Sequence, residues 1–189
     1  MDTIEIHPLS ADRLGDWLHY FDHVAFADNP DWQDCYCHFL HADTASKPWS
    51  QWTGEENRRA VIPLIEQREM NGMLAYAGGQ VIGWVHAGPS RCLPAMKDKP
   101  GADEAGVAAI GCFVVAKRWR GQGVARQLLR AACDQLKAQG LHTVQAYPRR
   151  ETKSEADAHF GPLDLYLDEG FSIWHDAPGE RLLTVRRAL

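Results

Sequence analysis

The chain lacks the segments that would place it in a membrane, in an export pathway or on nucleic acid. No apolar run approaches the ~20 residues that a membrane-spanning helix needs, so we expect no membrane partner. The N-terminal residues MDTIEIHPLS contain no basic segment followed by an apolar core, the pattern of a signal peptide. Basic residues do not outnumber acidic ones, since 20 Lys and Arg stand against 25 Asp and Glu, with a net charge of −5. A general nucleic-acid binder usually has a basic face, so we expect no nucleic-acid partner.

Disulfide bonds are not expected either. The five cysteines are an odd number and follow no export signal, so we predict free thiols and a cytoplasmic location. One group, Cys35-x-Cys37-His38 with His41, contains residue types that bind metals. Its spacing is too cramped for a usual zinc site, which separates two pairs of ligands. The sequence therefore predicts two buried free thiols here and no metal site.

The alternation of apolar and polar residues predicts a mixed α/β fold in one domain, residues 1–189. The expected strands are residues 3–7, 73–77, 81–87, 107–116, 141–147, 171–175 and 182–187. The first helix is expected after a cap at Ser10, and the second after a capping box at residues 53–56, with Pro63 kinking or dividing it. The third is expected from Gly123 to Gly140, and the fourth from Pro162 to Gly170.

A glycine-rich turn joins the predicted fourth strand to the third helix within VVAKRWRGQGVARQLL, residues 114–129. Gly121 and Gly123 have no Cβ, so an anion can approach the backbone closely. The amides from Gln122 to Arg126 fall where a first helical turn leaves N–H groups unpaired, and the helix dipole adds positive potential. Arg118, Arg120 and Arg126 are expected to add charge. The turn therefore predicts an anion site, although a glycine turn without a ligand has the same local pattern.

Two motifs in this order resemble those of the GNAT superfamily of acyl-CoA N-acyltransferases. The superfamily signature Gln/Arg-x-x-Gly-x-Gly/Ala is matched by Arg120, Gly123 and Ala125. Its second motif, Tyr-x-x-x-Gly-Phe at the end of a helix, is matched by Tyr166, Gly170 and Phe171. The resemblance covers nearly the whole chain in element order, and residues 107–175 by motif.

The resemblance implies a GNAT-like fold, in which helices flank a mixed, mostly antiparallel sheet that splays between strands four and five. It implies acetyl-CoA as co-substrate, with pantetheine beside Phe113 and Val115. The pyrophosphate would be bound by Arg120, Gly121, Gln122, Gly123, Val124, Ala125 and Arg126. A primary amine, in a small molecule or a peptide, would attack the thioester directly, and the tyrosine at position 166 would protonate the leaving thiolate. The expected function is thus N-acetyltransferase; a homodimer is left open.

Several positions depart from the superfamily pattern. The predicted fourth strand holds no carboxylate to act as a base, and the nearest acidic residues, Asp103 and Glu104, precede it. His86 could serve as the base, but a hydrogen-bonded strand histidine is the favoured interpretation, and no base is assigned. His159 stands where many members carry Asn. These departures leave a non-catalytic acyl-CoA sensor as the alternative function.

Two further interpretations concern the residues that would surround the reaction centre. Cys112 is interpreted as a small packing residue, because direct transfer needs no cysteine nucleophile. The aromatic segment of residues 32–52 contains Trp32, Tyr36, Phe39, Trp49 and Trp52. It is expected either to shape the acceptor pocket or to form a hydrophobic wall or dimer contact.

Overall fold

The computed structural model describes residues 3–152, 154 and 156–189. Seven strands form one sheet in the order β1-β2-β3-β4-β5-β7-β6. They are β1 Glu5–Pro8, β2 Gly72–Ala77, β3 Gln80–Pro89, β4 Val107–Val115, β5 Thr143–Ala146, β6 Ser172–His175 and β7 Thr184–Ala188. The helices are α1 Leu14–His23, α2 Gly54–Glu66, α3 Val124–Ala138 and α4 Leu163–Asp168. The predicted mixed α/β class and its order of elements are confirmed. No helix in these described ranges is long and apolar enough to cross a membrane.

Local signals account for several of these elements. β2 and β3 form an antiparallel hairpin whose turn residues, Gly78 and Gly79, both have positive φ, as the two-residue turn of a twisted hairpin requires. The predicted capping box of α2 is present, because the Thr53 hydroxyl accepts from the Glu56 amide and the Glu56 carboxylate accepts from the Thr53 amide.

Two local predictions for the helices were wrong: the division of α2 at Pro63 and the side-chain cap at Ser10. Pro63 does not divide α2, which runs unbroken from Gly54 to Glu66; proline removes a single helical N–H, and buried neighbours such as Val61 and Ile65 hold the helix on the sheet. Ser10 precedes a short 3₁₀ turn rather than α1, and although its carbonyl accepts from the Arg13 amide at 3.0 Å, its hydroxyl makes no capping bond to a backbone amide. Its hydroxyl instead accepts a hydrogen bond from Arg13.

The sheet has helices on both faces. The buried side chains of α3 pack on one face, and they are the predicted apolar stripe: Val124, Leu128, Leu129, Ala132 and Leu136. α1 and α2 cover the other face. Neighbouring strand residues alternate between the two cores, as Trp84 and Val85 do in β3.

The sheet opens between its fourth and fifth strands. β4 and β5 are the one parallel pair among the described strands, and their pairing runs only from Val107↔Thr143 to Ile110↔Ala146. β4 continues to Val115 without β5 beside it. The predicted splay is confirmed, and it leaves main-chain groups at residues 111–115 without a partner strand on that side.

A bulge lies at the point where the strands separate. In the β3–β4 ladder Val85 faces Phe113 and Ala87 faces Ile110, so His86 alone opposes residues 111 and 112. Such a bulge bends the strand and interrupts its ladder of hydrogen bonds. Gly111 suits this position, because a Cβ there would lie 2.5 Å from Leu40 Cδ1.

Candidate functional site

A cavity of about 1220 Å³ opens where β4 and β5 separate. Residues 112–115 of β4 form one wall, Phe160 and Pro162 before α4 form another, and the segment between α1 and α2 closes it. Of the predicted cofactor residues, Phe113, Val115, Arg120 and Ala125 line this cavity. The remainder lie in the adjoining turn and the start of α3; they are Gly121, Gln122, Gly123, Val124 and Arg126.

The glycine turn presents backbone rather than side chains. Gly121 and Gly123 have φ of 71° and 80°, in the left-handed region that favours glycine, and a Cβ on either would meet nothing within 4 Å. The first bond of α3 runs from the Gln127 amide to the Gly123 carbonyl at 3.1 Å. The amides of residues 124–126 therefore have no acceptor within the helix, and no side chain caps it. This is the geometry of an anion site at a helix N-terminus, with open space in front of it.

The side-chain charge expected around this turn is largely neutralised. Arg120 forms two bonds to the Asp28 carboxylate, at 2.7 and 3.1 Å, and its Nε donates to the Val115 carbonyl. The hydrogen bond from Arg120 lowers the pKa of the Asp28 carboxyl. Arg126 pairs with Asp168 at 2.8 Å and with Glu169 at 3.0 Å. Of the three arginines expected to add charge, Arg120 and Arg126 are thus ion-paired with acidic side chains, and Arg118 lies over the Trp119 ring.

Tyr166 lies one layer behind the cavity wall. It is fully buried, and its hydroxyl donates to the Phe160 carbonyl at 2.7 Å. Phe160 and Pro162 line the cavity, so the hydroxyl sits directly behind that wall. Gly161 has φ of 86°, and a Cβ there would lie 2.8 Å from this hydroxyl. Burial raises the pKa of Tyr166 well above its usual value, and the nearby thiols of Cys112 and Cys133 add to the shift. The hydroxyl therefore holds its proton at neutral pH, as an acid must before it donates.

His86 does not line the cavity. It is 1% exposed, and its Nε2 lies 2.9 Å from Nε2 of His41. Among the described residues its Nδ1 has no hydrogen-bond partner, and it faces Gly111. Burial lowers the pKa of His86 well below its usual value and that of His41 to about 4. This is the hydrogen-bonded strand histidine that the sequence favoured.

Three cysteines, Cys35, Cys37 and Cys112, face the cavity. A hydrogen bond with Cys112, followed by burial, raises the pKa of Cys37 well above its usual value. Burial raises the pKa of Cys35 to about 12. These two thiols are thus protonated and poor nucleophiles. The neighbouring His38 is bonded to Asn57 at 2.8 Å. Across the part of the chain that the structure describes, no three His, Cys, Asp or Glu side chains are placed to hold a metal ion.

Most of the aromatic segment faces the same cavity. Trp32, Phe39, Trp49 and Trp52 line it. Tyr36 instead packs in the core beneath α1, where its hydroxyl donates to Asp22 at 2.8 Å. The segment therefore shapes the wall of the cavity beside β4.

Sequence reasoning missed three residues of this site. Asp28 holds Arg120 from a position 92 residues away along the chain, and Asn57 is a buried amide that lines the cavity and is hydrogen-bonded to His38. Gly161 makes room for the tyrosine hydroxyl. None belongs to a motif. The sequence offered a signal for Asn57 alone, which is an Asn at a helical position of α2, four residues after the Thr53 cap.

Comparison with known proteins identifies the fold and the family. The acetyltransferase (GNAT) family model matches residues 17–159. The PaiA N-acetyltransferase of Thermoplasma acidophilum, solved with coenzyme A, superposes with a TM-score of 0.58 at 16% identity over 99% of each chain. An acetyltransferase of Thermus thermophilus superposes at 0.59 with 18% identity over 100% of both chains. A ribosomal-protein-alanine N-acetyltransferase of Brucella melitensis superposes at 0.53 with 16% identity, covering 98% of this chain and 99% of its own. No curated protein sequence matches the chain significantly. Because the family match spans most of its length, and the splayed sheet and glycine turn agree with it, the chain belongs to the GNAT family of acetyltransferases.

Proposed function

We propose that the chain is a cytoplasmic, single-domain N-acetyltransferase that moves an acetyl group from acetyl-CoA to a primary amine. One observation carries this proposal: the uncapped N-terminus of α3 and its glycine turn stand at the end of the unpaired stretch of β4. An anion-binding backbone and an open strand edge are thus side by side. A coenzyme A thioester has matching parts, a pyrophosphate and an extended amide arm.

The cradle fits coenzyme A on the geometry of this chain. The backbone of residues 121–126 would bind the pyrophosphate, since the space around both glycines is open to a ligand. Phe113 and Val115 would lie beside the pantetheine arm, whose amides can pair with the free main-chain groups of β4. Asp28 would hold Arg120 at the edge of this cradle rather than leave it for the ligand.

The acyl transfer itself requires few side chains. Acetyl-CoA supplies an activated acyl group as a thioester. The free amine attacks its carbonyl carbon, the C–S bond breaks, the nitrogen loses a proton and the coenzyme A sulfur gains one. A main-chain N–H of β4 in the splay would polarise the carbonyl. The Tyr166 hydroxyl would donate its proton to the sulfur after it breaks its hydrogen bond to the Phe160 carbonyl.

The sensor remains the second candidate, and two observations favour it. The Tyr166 hydroxyl is occupied by the Phe160 carbonyl, and β4 carries no carboxylate. A domain of this kind would bind acyl-CoA without releasing thiol.

One experiment separates the candidates. Thiol release from acetyl-CoA would be followed with a panel of alkylamines, aralkylamines, amino acids, aminoglycosides and peptide N-termini, with mass spectrometry of the products. An acetylated amine supports the enzyme. Coenzyme A binding without release from any amine supports the sensor.

The placement of the cofactor needs its own test, by calorimetry. Gly123→Asp puts bulk and negative charge where pyrophosphate is expected, so coenzyme A affinity should fall at least about tenfold. Gly79→Asp is the matched control, since Gly79 also has positive φ and open space but lies in the β2–β3 turn. Unchanged affinity in a folded Gly123→Asp protein would show that the pyrophosphate binds elsewhere.

A further inference from the structure

The cavity beyond the cofactor cradle has two aromatic walls. One is formed by Phe39, Trp49 and Trp52, and the Phe39 and Trp49 rings meet edge to face at 5.3 Å. The other is formed by Trp32 against His159, at 4.8 Å. All five side chains line the cavity, so much of its lining is aromatic ring surface. Aromatic walls of this kind bury a flat apolar group well.

The wall that contains Phe39 adjoins β4 at the point where that strand leaves β5. Leu40 packs against Gly111 at the bulge of β4, and Cys37 belongs to the core cluster on which Cys112, the next residue of that strand, packs. The backbone that carries Phe39 is thereby fixed over the point where β4 leaves β5. Trp49 is the next ring of this wall and is in contact with the Phe39 ring. A molecule whose nitrogen reaches β4 would therefore have its body between the rings.

Charged side chains of both signs line the cavity around the aromatic walls, and two carboxylates lie beside Trp32. Asp31 and Asp34 are exposed and line the cavity on the side of Trp32. Within residues 3–152, 154 and 156–189 neither is ion-paired with a basic side chain. On another side of the cavity Lys99 pairs with Glu180 at 3.1 Å and Arg149 with Asp157 at 3.8 Å, while the exposed Arg181 forms no ion pair among the described residues. A cationic amine would be attracted to the aspartates before it loses its proton.

From these walls and charges we propose that the acceptor is a primary amine with an aromatic or similarly bulky apolar body. The inference rests on the proposed function for the chemistry at the nitrogen. It goes further by assigning the acceptor class to Phe39, Trp49, Trp52 and Trp32. The rings bind the body, the aspartates attract the ammonium and β4 receives the nitrogen.

The test compares 2-phenylethylamine with ethylamine, which has the same reacting group without the ring. We expect kcat/KM for 2-phenylethylamine to exceed that for ethylamine about a hundredfold or more, because a single methylene in such a pocket is worth about tenfold. Trp49→Ala should lower this ratio about tenfold or more by raising KM for 2-phenylethylamine, with coenzyme A affinity intact. Trp49→Phe should restore much of it. Trp174→Ala is the matched control, because Trp174 is 46% exposed on β6 and does not line the cavity.

A binding arm keeps this inference separate from the proposed function. Calorimetry would measure both amines against the protein saturated with coenzyme A. Selective binding of 2-phenylethylamine that Trp49→Ala weakens supports the pocket even if no acetyl group is transferred, in which case only the transferase proposal fails. The inference is overturned if amines are acetylated but kcat/KM for 2-phenylethylamine exceeds that for ethylamine less than about threefold, or if the polyamine spermidine is preferred. The transferase proposal would stand in either case. No selective binding and no selective transfer overturn the inference outright.

Discussion

Replacing Tyr166 by phenylalanine removes one oxygen atom and tests two consequences of its position. The ring is fully buried between Phe113 and Phe171, with centroids 6.4 and 5.1 Å away, so the phenylalanine ring should keep its packing. Only the bond from the hydroxyl to the Phe160 carbonyl, 2.7 Å long, is lost. The variant therefore isolates the hydroxyl from the rest of the side chain.

The two effects have different magnitudes. The Phe160 carbonyl loses its donor in a buried place, so the free energy of unfolding should fall by about 1–3 kcal/mol. General acids contribute ~10²–10⁴-fold, and the coenzyme A thiolate is already a fair leaving group, so kcat should fall about a hundredfold. Coenzyme A affinity should not change, because the cradle lies in the β4–α3 turn.

The assay pairs kinetics with denaturation. kcat would be measured by thiol release where chemistry limits the rate, and stability by urea unfolding of the same samples. Tyr147→Phe is the matched control: Tyr147 is equally buried, and its hydroxyl accepts from Gln145 Nε2 at 2.5 Å. It should lose similar stability and keep kcat within about threefold.

Two results would refute this reasoning. Unreduced kcat in Tyr166→Phe removes that hydroxyl from the mechanism, whatever happens to stability. A fall in kcat confined to Tyr147→Phe transfers the role of acid to the end of β5. The pH profile adds a check, because burial holds the pKa of Tyr166 above its usual value near 10. An alkaline limb due to this acid should therefore lie above about pH 10 and disappear in Tyr166→Phe.

Three further predictions follow from the same geometry. Cys112→Ala should keep kcat within about threefold, since direct transfer uses no thiol, and an acyl-cysteine trapped by mass spectrometry would contradict this. Gly161→Ala should lower the free energy of unfolding by about 2 kcal/mol or more, since it adds a close contact to the strain of positive φ. Gly79→Ala is the control, because Gly79 has positive φ but open space, and its free energy of unfolding should fall by only about 1 kcal/mol. Equal falls for the two variants in urea unfolding would show that the close contact at Gly161 has no effect on stability. The pKa of His41 is about 4 in the folded protein, below its usual value, so its contribution to stability is complete above about pH 6.5 and is lost as the pH falls toward 4. Urea unfolding across that range should show the free energy of unfolding fall by up to roughly 3 kcal/mol. His41→Gln should make this fall smaller, whereas His19→Gln, at an exposed position, should not. The same dependence of stability on pH in both variants would refute the prediction.

Local patterns predicted much of the fold because the interactions behind them span few residues. The glycine pair of the β2–β3 turn, the capping box at Thr53 and the apolar stripe of α3 each involve neighbours within a turn or two. Where local rules failed, tertiary packing prevailed. Pro63 stays inside α2 because the apolar face of the helix is buried, and that burial outweighs one missing hydrogen bond.

The sequence by itself thus determined the order of elements, the glycine turn and the family resemblance of Arg120 and Tyr166. Only the tertiary structure decided which groups face the cavity. It joined Asp28 to Arg120 across 92 residues and turned the Tyr166 hydroxyl toward a carbonyl behind the cavity wall. It also set the tryptophans of residues 32–52 over β4. These contacts are made when distant segments close on one another, and their partners have no fixed separation along the chain. For that reason periodicity and motif could predict the glycine turn at the start of α3, whereas the walls of the cavity depended on the folded chain.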